Sequence, residues 1–168
     1  FELCVVTANR GNGAYGYGAW ASPPEDVAHG PNGPRNVVYN CDFASPKTGL
    51  WMGGMNEAWI IAHNRFVVGE GPGAFMKDHS FDHIFAGNVF ALKDRASPMI
   101  EIKTADCTGI EIRGNSLHGG NGKFVRGMGK PESEEDNRRR APRSPERPNP
   151  PVPSIFEWQQ NFARKTGR

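Results

Sequence analysis

The residues best suited to chemistry are aromatic and cationic side chains that recur at steps near 24 residues. Aromatic faces stack on apolar surfaces such as sugar rings, and Lys or Arg pairs with carboxylates or sulfates. If successive segments stack, these side chains form two neighbouring outward stripes that suit an acidic sugar chain. The first stripe is Trp51, Phe75, Glu101 and Phe124, and the second is Gly53, Lys77, Lys103 and Arg126. We therefore predict substrate-binding roles for Trp51, Phe75, Glu101, Phe124 and Arg126.

The two stripes also have a plainer interpretation. Outward residues of a sheet commonly cover it with their stems and bind nothing. The stripes depend on Met52, Met76 and Ile102 pointing inward, and a slip of one residue would reverse every side chain.

Two Asp-His pairs follow the second of these segments, in the sequence Lys77 to His83. Asp and His in a turn often bond to the local backbone. A calcium or zinc site built from Asp78, His79, Asp82 and His83 is the sharper alternative. The sequence of this segment is compatible with both interpretations.

The elements that would position these side chains belong to an internal repeat. Its units are residues 37–43, 60–66, 84–90 and 111–117, and each closes on a large apolar residue at 43, 66, 90 or 117. A second series of short apolar segments, at residues 50–52, 74–76, 100–102 and 123–125, lies between these units. Each period therefore carries at least two short strands, separated by turns rich in Gly, Asn, Asp and Pro.

This repeat predicts a β-solenoid, because stacked coils place equivalent side chains above one another. One interior column is Val38, Ile61, Phe85 and Ile112, and another is Phe43, Phe66, Phe90 and Leu117. Asn64, Asn88 and Asn115 form a ladder at a turn, where Asn tolerates a left-handed backbone and bonds to the next Asn. A β-sandwich with coincidental spacing is the alternative fold.

The apolar-x-apolar-x-x-Asn-x-Phe units resemble the pectate-lyase-like superfamily of right-handed parallel β-helices, over about residues 36–127. The resemblance implies an extracytoplasmic protein with a polysaccharide site on the first strand of each coil. It also implies catalytic roles for Lys77 or Lys103 as the base, and for Asp78, Asp82 and Asp106 as acids or calcium ligands. No catalytic motif of that superfamily is matched residue by residue.

The predicted architecture is all-β, with about four coils over residues 1–127 and a long loop at 8–35. Residues 128–153 have the Pro-rich and charged composition of a linker, with an arginine triplet at 138–140. Residues 154–168 begin with a capping box, Ser154 and Glu157, and predict a short helix with an apolar face. We expect this face, or the long loop, or another chain, to cover the apolar outward residues Val37, Ile60 and Ile84.

Bulk composition narrows the classes of partner. A formal charge of +2 gives no argument for nucleic acid, and no apolar run is long enough for a membrane span. The cysteines, Cys4, Cys41 and Cys107, are odd in number and widely spaced, which favours small buried side chains over disulfides or zinc. The chain opens directly into a strand at Phe1, so we expect upstream coils or a second chain to cover that end.

Two hypotheses about function remain. In the first, the protein binds or cleaves an acidic polysaccharide as a lyase or glycoside hydrolase, with calcium as a possible cofactor. In the second, it is a non-catalytic β-helix module that takes part in structure or assembly.

Overall fold

The computed structural model describes residues 5–7 and 14–17 for their backbone, and residues 37–53 and 58–141 in full. No residue in these ranges is helical. In chain order the strands are β1 (Val5–Thr7), β2 (Ala14–Tyr17), β3 (Val37–Tyr39), β4 (Asp42–Ser45), β5 (Leu50–Gly53), β6 (Ile60–Ala62), β7 (Arg65–Val68), β8 (Ala74–Met76), β9 (Ile84–Ala86), β10 (Val89–Leu92), β11 (Ile100–Ile102), β12 (Glu111–Arg113), β13 (Ser116–Gly119), β14 (Val125–Gly127), β15 (Ser133–Glu135) and β16 (Arg138–Arg140).

The strands form three parallel sheets that the chain visits in turn. Sheet 1 has the order β2-β5-β8-β11-β14, sheet 2 has β3-β6-β9-β12-β15, and sheet 3 has β1-β4-β7-β10-β13-β16. Each strand pairs with the equivalent strand one coil away, so the described residues form a parallel β-solenoid of about four turns, about 24 residues apart. The all-β fold and the repeat of about 24 residues are as the sequence predicts.

The interior consists of stacked columns of apolar side chains. The rings of Phe43 and Phe66 stack at 4.7 Å between centroids, and those of Phe66 and Phe90 at 4.8 Å. All three are buried, and Leu117 continues their column in register with Phe90. Equivalent residues share one environment in every coil, so the sequence repeats the same residue type at each step.

The predicted asparagine ladder is present and longer than expected, because Asn137 extends it by one coil. Asn88 shows the pattern of bonding. Its Oδ1 accepts hydrogen bonds from the backbone N and Nδ2 of Asn64 at 3.0 and 3.1 Å. Its Nδ2 donates to the carbonyl oxygen of Ile61 at 2.8 Å and to Oδ1 of Asn115 at 2.9 Å. Asn115 and Asn137 repeat this arrangement. The ladder therefore satisfies buried backbone groups as well as its own amides.

The left-handed backbone at this turn does not belong to the ladder asparagines, and that part of the prediction is wrong. Positive φ falls on the residue immediately before each of them, at His63 (54°), Gly87 (63°), Gly114 (62°) and Asp136 (52°). The preceding residue makes the corner, and the asparagine then points its amide inward along the stack.

Of the three apolar outward residues of sheet 2, Ile60 and Ile84 are buried and Val37 is half-buried. Ile60 and Ile84 are 0% and 3% exposed, and they cluster with Tyr39, Ala62 and Ala86. One coil further along, the outward positions hold an ion pair between Glu111 and Arg113, with 3.2 Å between Oε2 and Nη1. The apolar outward column therefore ends at β9. The long loop and the C-terminal helix that the sequence offers as the cover lie outside the fully described residues.

Strands are also present within the segments that the sequence predicts to be a long loop and a linker. Strand β2 lies within the predicted loop 8–35, and β15 and β16 lie within the predicted linker 128–153. The sequence of the last coil does not show the apolar repeat, because charged residues occupy its interior columns. Glu134 is in register with Ile112, and Arg139 with Leu117. The arginine triplet is therefore an exposed strand, the last of sheet 3 within the described residues. The predicted helix at 154–168 lies outside the described residues.

The cysteines that the structure describes are free and buried, as expected for small apolar side chains. Burial raises the pKa of the Cys107 thiol, and a hydrogen bond between this thiol and the Thr104 hydroxyl opposes the shift in part. Cys4 lies outside the described residues. Among those residues, no helix is long and apolar enough to cross a membrane.

Candidate functional site: the outer face of sheet 1

The outward column of sheet 1 contains four of the five predicted binding residues. Trp51 is in register with Phe75, Phe75 with Glu101, and Glu101 with Arg126. Met52, Met76 and Ile102 point inward and are fully buried, so the predicted alternation is correct. We call the side chains of Trp51, Phe75, Lys77 and Lys103 the aromatic–cation strip.

Phe124 does not belong to this column, and Arg126 does not belong to the second one. Ile100 pairs with Val125, whereas the repeat of segments 100–102 and 123–125 predicts that it pairs with Lys123. That shift of two residues moves Arg126 into line with Glu101. Phe124 is in line with Met99 and packs against the interior, with the guanidinium of Arg139 5.6 Å from its ring centroid. The coil before β14 is longer than the alignment assumed, and the resulting error is confined to this coil.

Trp51 lies over Gly53, and this contact explains the glycine. A Cβ at position 53 would clash with the indole ring. The ring of Phe75 stands 6.1 Å from that of Trp51 at an angle of 18°. Nζ of Lys77 lies 5.5 Å from the centroid of the Trp51 ring. A cation over an aromatic face is attracted by the ring quadrupole, so the ammonium is held beside an apolar platform.

Lys77 also forms an ion pair with its neighbour, because its Nζ lies 2.7 Å from Oδ2 of Asp78. Lys103 stands one coil further along, exposed, directly after β11. The backbone N of Lys77 donates to the oxygen of Met52, and that of Lys103 to Met76, so the two lysines are stacked equivalents. Neighbouring strands lie about 4.8 Å apart, so two cations recur at close to the length of one sugar residue.

Glu101 and Arg126 neutralise each other at the end of the column. Nη2 of Arg126 lies 2.7 Å from Oε2 of Glu101, whose side chain is only 15% exposed. Arg126 also donates to the carbonyl oxygen of Ala96 at 3.2 Å. Their predicted role in binding substrate is untested. Lys77 is the cation of this face for which a contact with an aromatic ring is found in the described residues.

A pair that the sequence reasoning missed lies beside the strip. Nδ1 of His79 is 3.2 Å from Oδ2 of Asp106 in the equivalent turn of the next coil. Burial raises the pKa of Asp106, but the hydrogen bond from Thr104 and the charge of His79 outweigh it, so the pKa is lowered overall. The Thr104 hydroxyl also accepts from the backbone N of Asp78 at 2.9 Å. Aligning the turns as well as the strands would have brought these residues together.

The second Asp-His pair separates, because His83 belongs to the interior. Its Nδ1 accepts a hydrogen bond from the backbone N of Trp59 at 3.1 Å, and its Nε2 is buried without a partner. Burial lowers the pKa of His83 to about 3. The proposed metal set of Asp78, His79, Asp82 and His83 therefore does not converge. Nowhere in the described ranges do three His, Cys, Asp or Glu side chains gather in a way that would hold a metal ion.

The turn that carries Lys77 has an unusual backbone. Asp78, His79 and Asp82 all have positive φ, between 55° and 60°. Non-glycine residues adopt this conformation infrequently, and Asp and His do so more readily than most. The turn thereby directs Asp78 back towards Lys77 and His79 towards Asp106.

No known protein family, curated protein or solved structure matches the chain.

Proposed function

We propose that the protein binds an acidic polysaccharide along the outer face of sheet 1. The observation that carries the proposal is the aromatic–cation strip, in which the Lys77 ammonium stands over the Trp51 ring and Lys103 repeats the cation one coil further along. A sugar ring would rest on the apolar surface of Trp51 and Phe75, and successive carboxylates or sulfates would pair with the two lysines. The sequence resemblance to pectate-lyase-like β-helices, and the extracytoplasmic location that it implies, support the same class of ligand.

The geometry favours binding over cleavage. Lys77, one of the two bases that the resemblance suggests beside Lys103, donates into an ion pair with Asp78. An ammonium in such a pair serves as a hydrogen-bond donor to anions and not as a proton acceptor. In its neutral form His79 is the better-placed proton acceptor in this turn, since its Nδ1 faces the Asp106 carboxylate and leaves Nε2 to solvent.

The test is a binding titration with Lys77→Ala/Lys103→Ala on polygalacturonate and heparin, with dextran as the neutral comparison. We expect about a tenfold loss of affinity for the acidic chains, which corresponds to roughly 1.4 kcal/mol. The loss should shrink at high salt because exposed charges are screened.

The matched control is Lys47→Ala/Lys93→Ala, which removes two exposed lysines that follow strands of sheet 3. It lowers the net charge equally and leaves sheet 1 intact, so its affinity should match that of the unmodified protein. Equal losses in both variants would mean that only net charge matters, and the site would then be rejected. If the unmodified chain binds none of the polysaccharides, the non-catalytic structural role becomes the better hypothesis.

A further inference from the structure

The last coil ends the described solenoid with three open strand edges. Strands β14, β15 and β16 each stand last in their sheets. Their residues from Arg126 to Met128, from Glu134 to Asp136 and from Arg138 to Ala141 are exposed. Met128, which follows β14, is 72% exposed. We call these three edges, with Met128, the end face.

Charge on the end face is sorted by strand. Glu134, Glu135 and the following Asp136 make the edge of sheet 2 acidic, and Arg138 to Arg140 make the edge of sheet 3 basic. The ion pairs found in the fully described part of the chain include none of these residues. Six charges of opposite sign therefore lie on adjacent strands without neutralising each other.

We infer that two copies of the chain associate through their end faces about a two-fold axis. Such a rotation reverses the direction in which the coils wind, so strands meet antiparallel across the interface. It sets β14 beside β14 of the partner subunit and β15 beside β16. The acidic edge of each copy then meets the basic edge of the other, so the interface contains two contacts between opposite charges. An isologous contact of this kind closes after two copies and gives no fibre.

The sorting of charge is what points to a second copy. Charged residues on open edges usually prevent association, and a mixture of signs on each edge would serve that purpose as well. Edges of a single sign repel their own kind and attract the opposite edge. Among the described strands, β14, β15 and β16 have a neighbour on one side only, so the other edge of each offers backbone groups to a further strand. The interface would also bury Met128.

The dimer should be weak and sensitive to salt. Three strands of three residues each form a face smaller than a standard interface, which buries about 1,600 Å² in total. We therefore expect a reversible monomer–dimer equilibrium in the micromolar range, shifted towards monomer as salt screens the edge charges.

Sedimentation of the full chain over a range of concentration and salt tests the association directly. Two charge-reversed variants test the geometry. In Glu134→Arg/Glu135→Arg both edges are basic, and in Arg138→Glu/Arg140→Glu both are acidic, so each variant alone should be monomeric. An equal mixture of the two should form dimers again, because opposite edges meet once more.

Three results would overturn the inference. They are a monomer at every concentration in low salt, a dimer that either reversal leaves unchanged, and a mixture that stays monomeric. Arg139 is left in place because it packs on Phe124, and circular dichroism checks that each variant folds. The concentration and salt series of the unmodified chain decides the question even if a variant does not fold.

Discussion

Replacing Asn88 by alanine should cost about 3–5 kcal/mol of the free energy of unfolding. The substitution removes the acceptor of the Asn64 backbone N and a donor to the Ile61 carbonyl oxygen, both in the interior. Each buried polar group left unpaired costs roughly 1–3 kcal/mol, and the lost side-chain volume adds a smaller term. Unfolding in urea, followed by circular dichroism, measures the difference.

Asn121→Ala is the matched control for this effect. Asn121 also makes two side-chain hydrogen bonds, to the oxygen of Ala96 and from the backbone N of Lys123, but these are exposed. Water can replace them, so the loss should stay within about 1 kcal/mol. Equal losses in the two variants would show that burial does not increase the stabilising effect of the hydrogen bonds in the ladder.

Acid should destabilise the protein through His83, by on the order of 4 kcal/mol between about pH 6.5 and pH 3. The folded state holds His83 neutral, with its pKa lowered to about 3 by burial, whereas the unfolded chain takes up the proton near pH 6.5. In that window the unfolded state binds more protons, so stability falls by roughly 1.4 kcal/mol for each pH unit of acidification. Above pH 6.5 His83 is neutral in both states, so its protonation takes nothing from the free energy of unfolding.

The geometry gives the physical reason for this sensitivity. In the neutral ring Nδ1 accepts from the backbone N of Trp59, so the proton sits on Nε2. Protonation would place a second donor against the N–H of Trp59 and bury a charge without a partner.

Urea titrations at several pH values compare the unmodified protein with His83→Asn, whose Oδ1 can still accept from Trp59 but cannot titrate. The variant should lose most of the slope between pH 4 and 6.5, and keep the weaker slope of the same sign from His63, whose pKa burial also lowers. An unchanged slope would locate the acid sensitivity elsewhere.

The fold was predictable because the interior repeats its residue types. Phe43, Phe66 and Phe90 occupy one column, and a run of like residues at a fixed step is visible without any structure. The final coil was not predictable by the same means. Glu134 and Arg139 stand at interior register, but they lie in the last coil of the described residues, where both are exposed and no apolar pattern is required.

The candidate site was only half predictable. Alternation along each strand identified Trp51, Phe75 and Lys77, because outward and inward positions strictly alternate. Contacts between coils were harder to infer, since they depend on turn lengths that vary. Because turn lengths vary, the strand pattern predicts neither the pairing of His79 with Asp106 nor the position of Phe124. Asp82, immediately before His83, predicts a polar turn, whereas the His83 ring is buried and accepts a hydrogen bond from Trp59.

The asparagine ladder also gives the solenoid an electrical polarity. The side-chain carbonyls of Asn64, Asn88 and Asn115 all accept from the preceding coil, and one N–H of each amide faces the following coil. Amide dipoles that align head to tail add together and polarise one another, as the peptide units of a helix do. Each further coil would therefore strengthen the bonds already made, so that the ladder grows more cooperative as the solenoid lengthens, with its positive pole at the end where Asn137 stands.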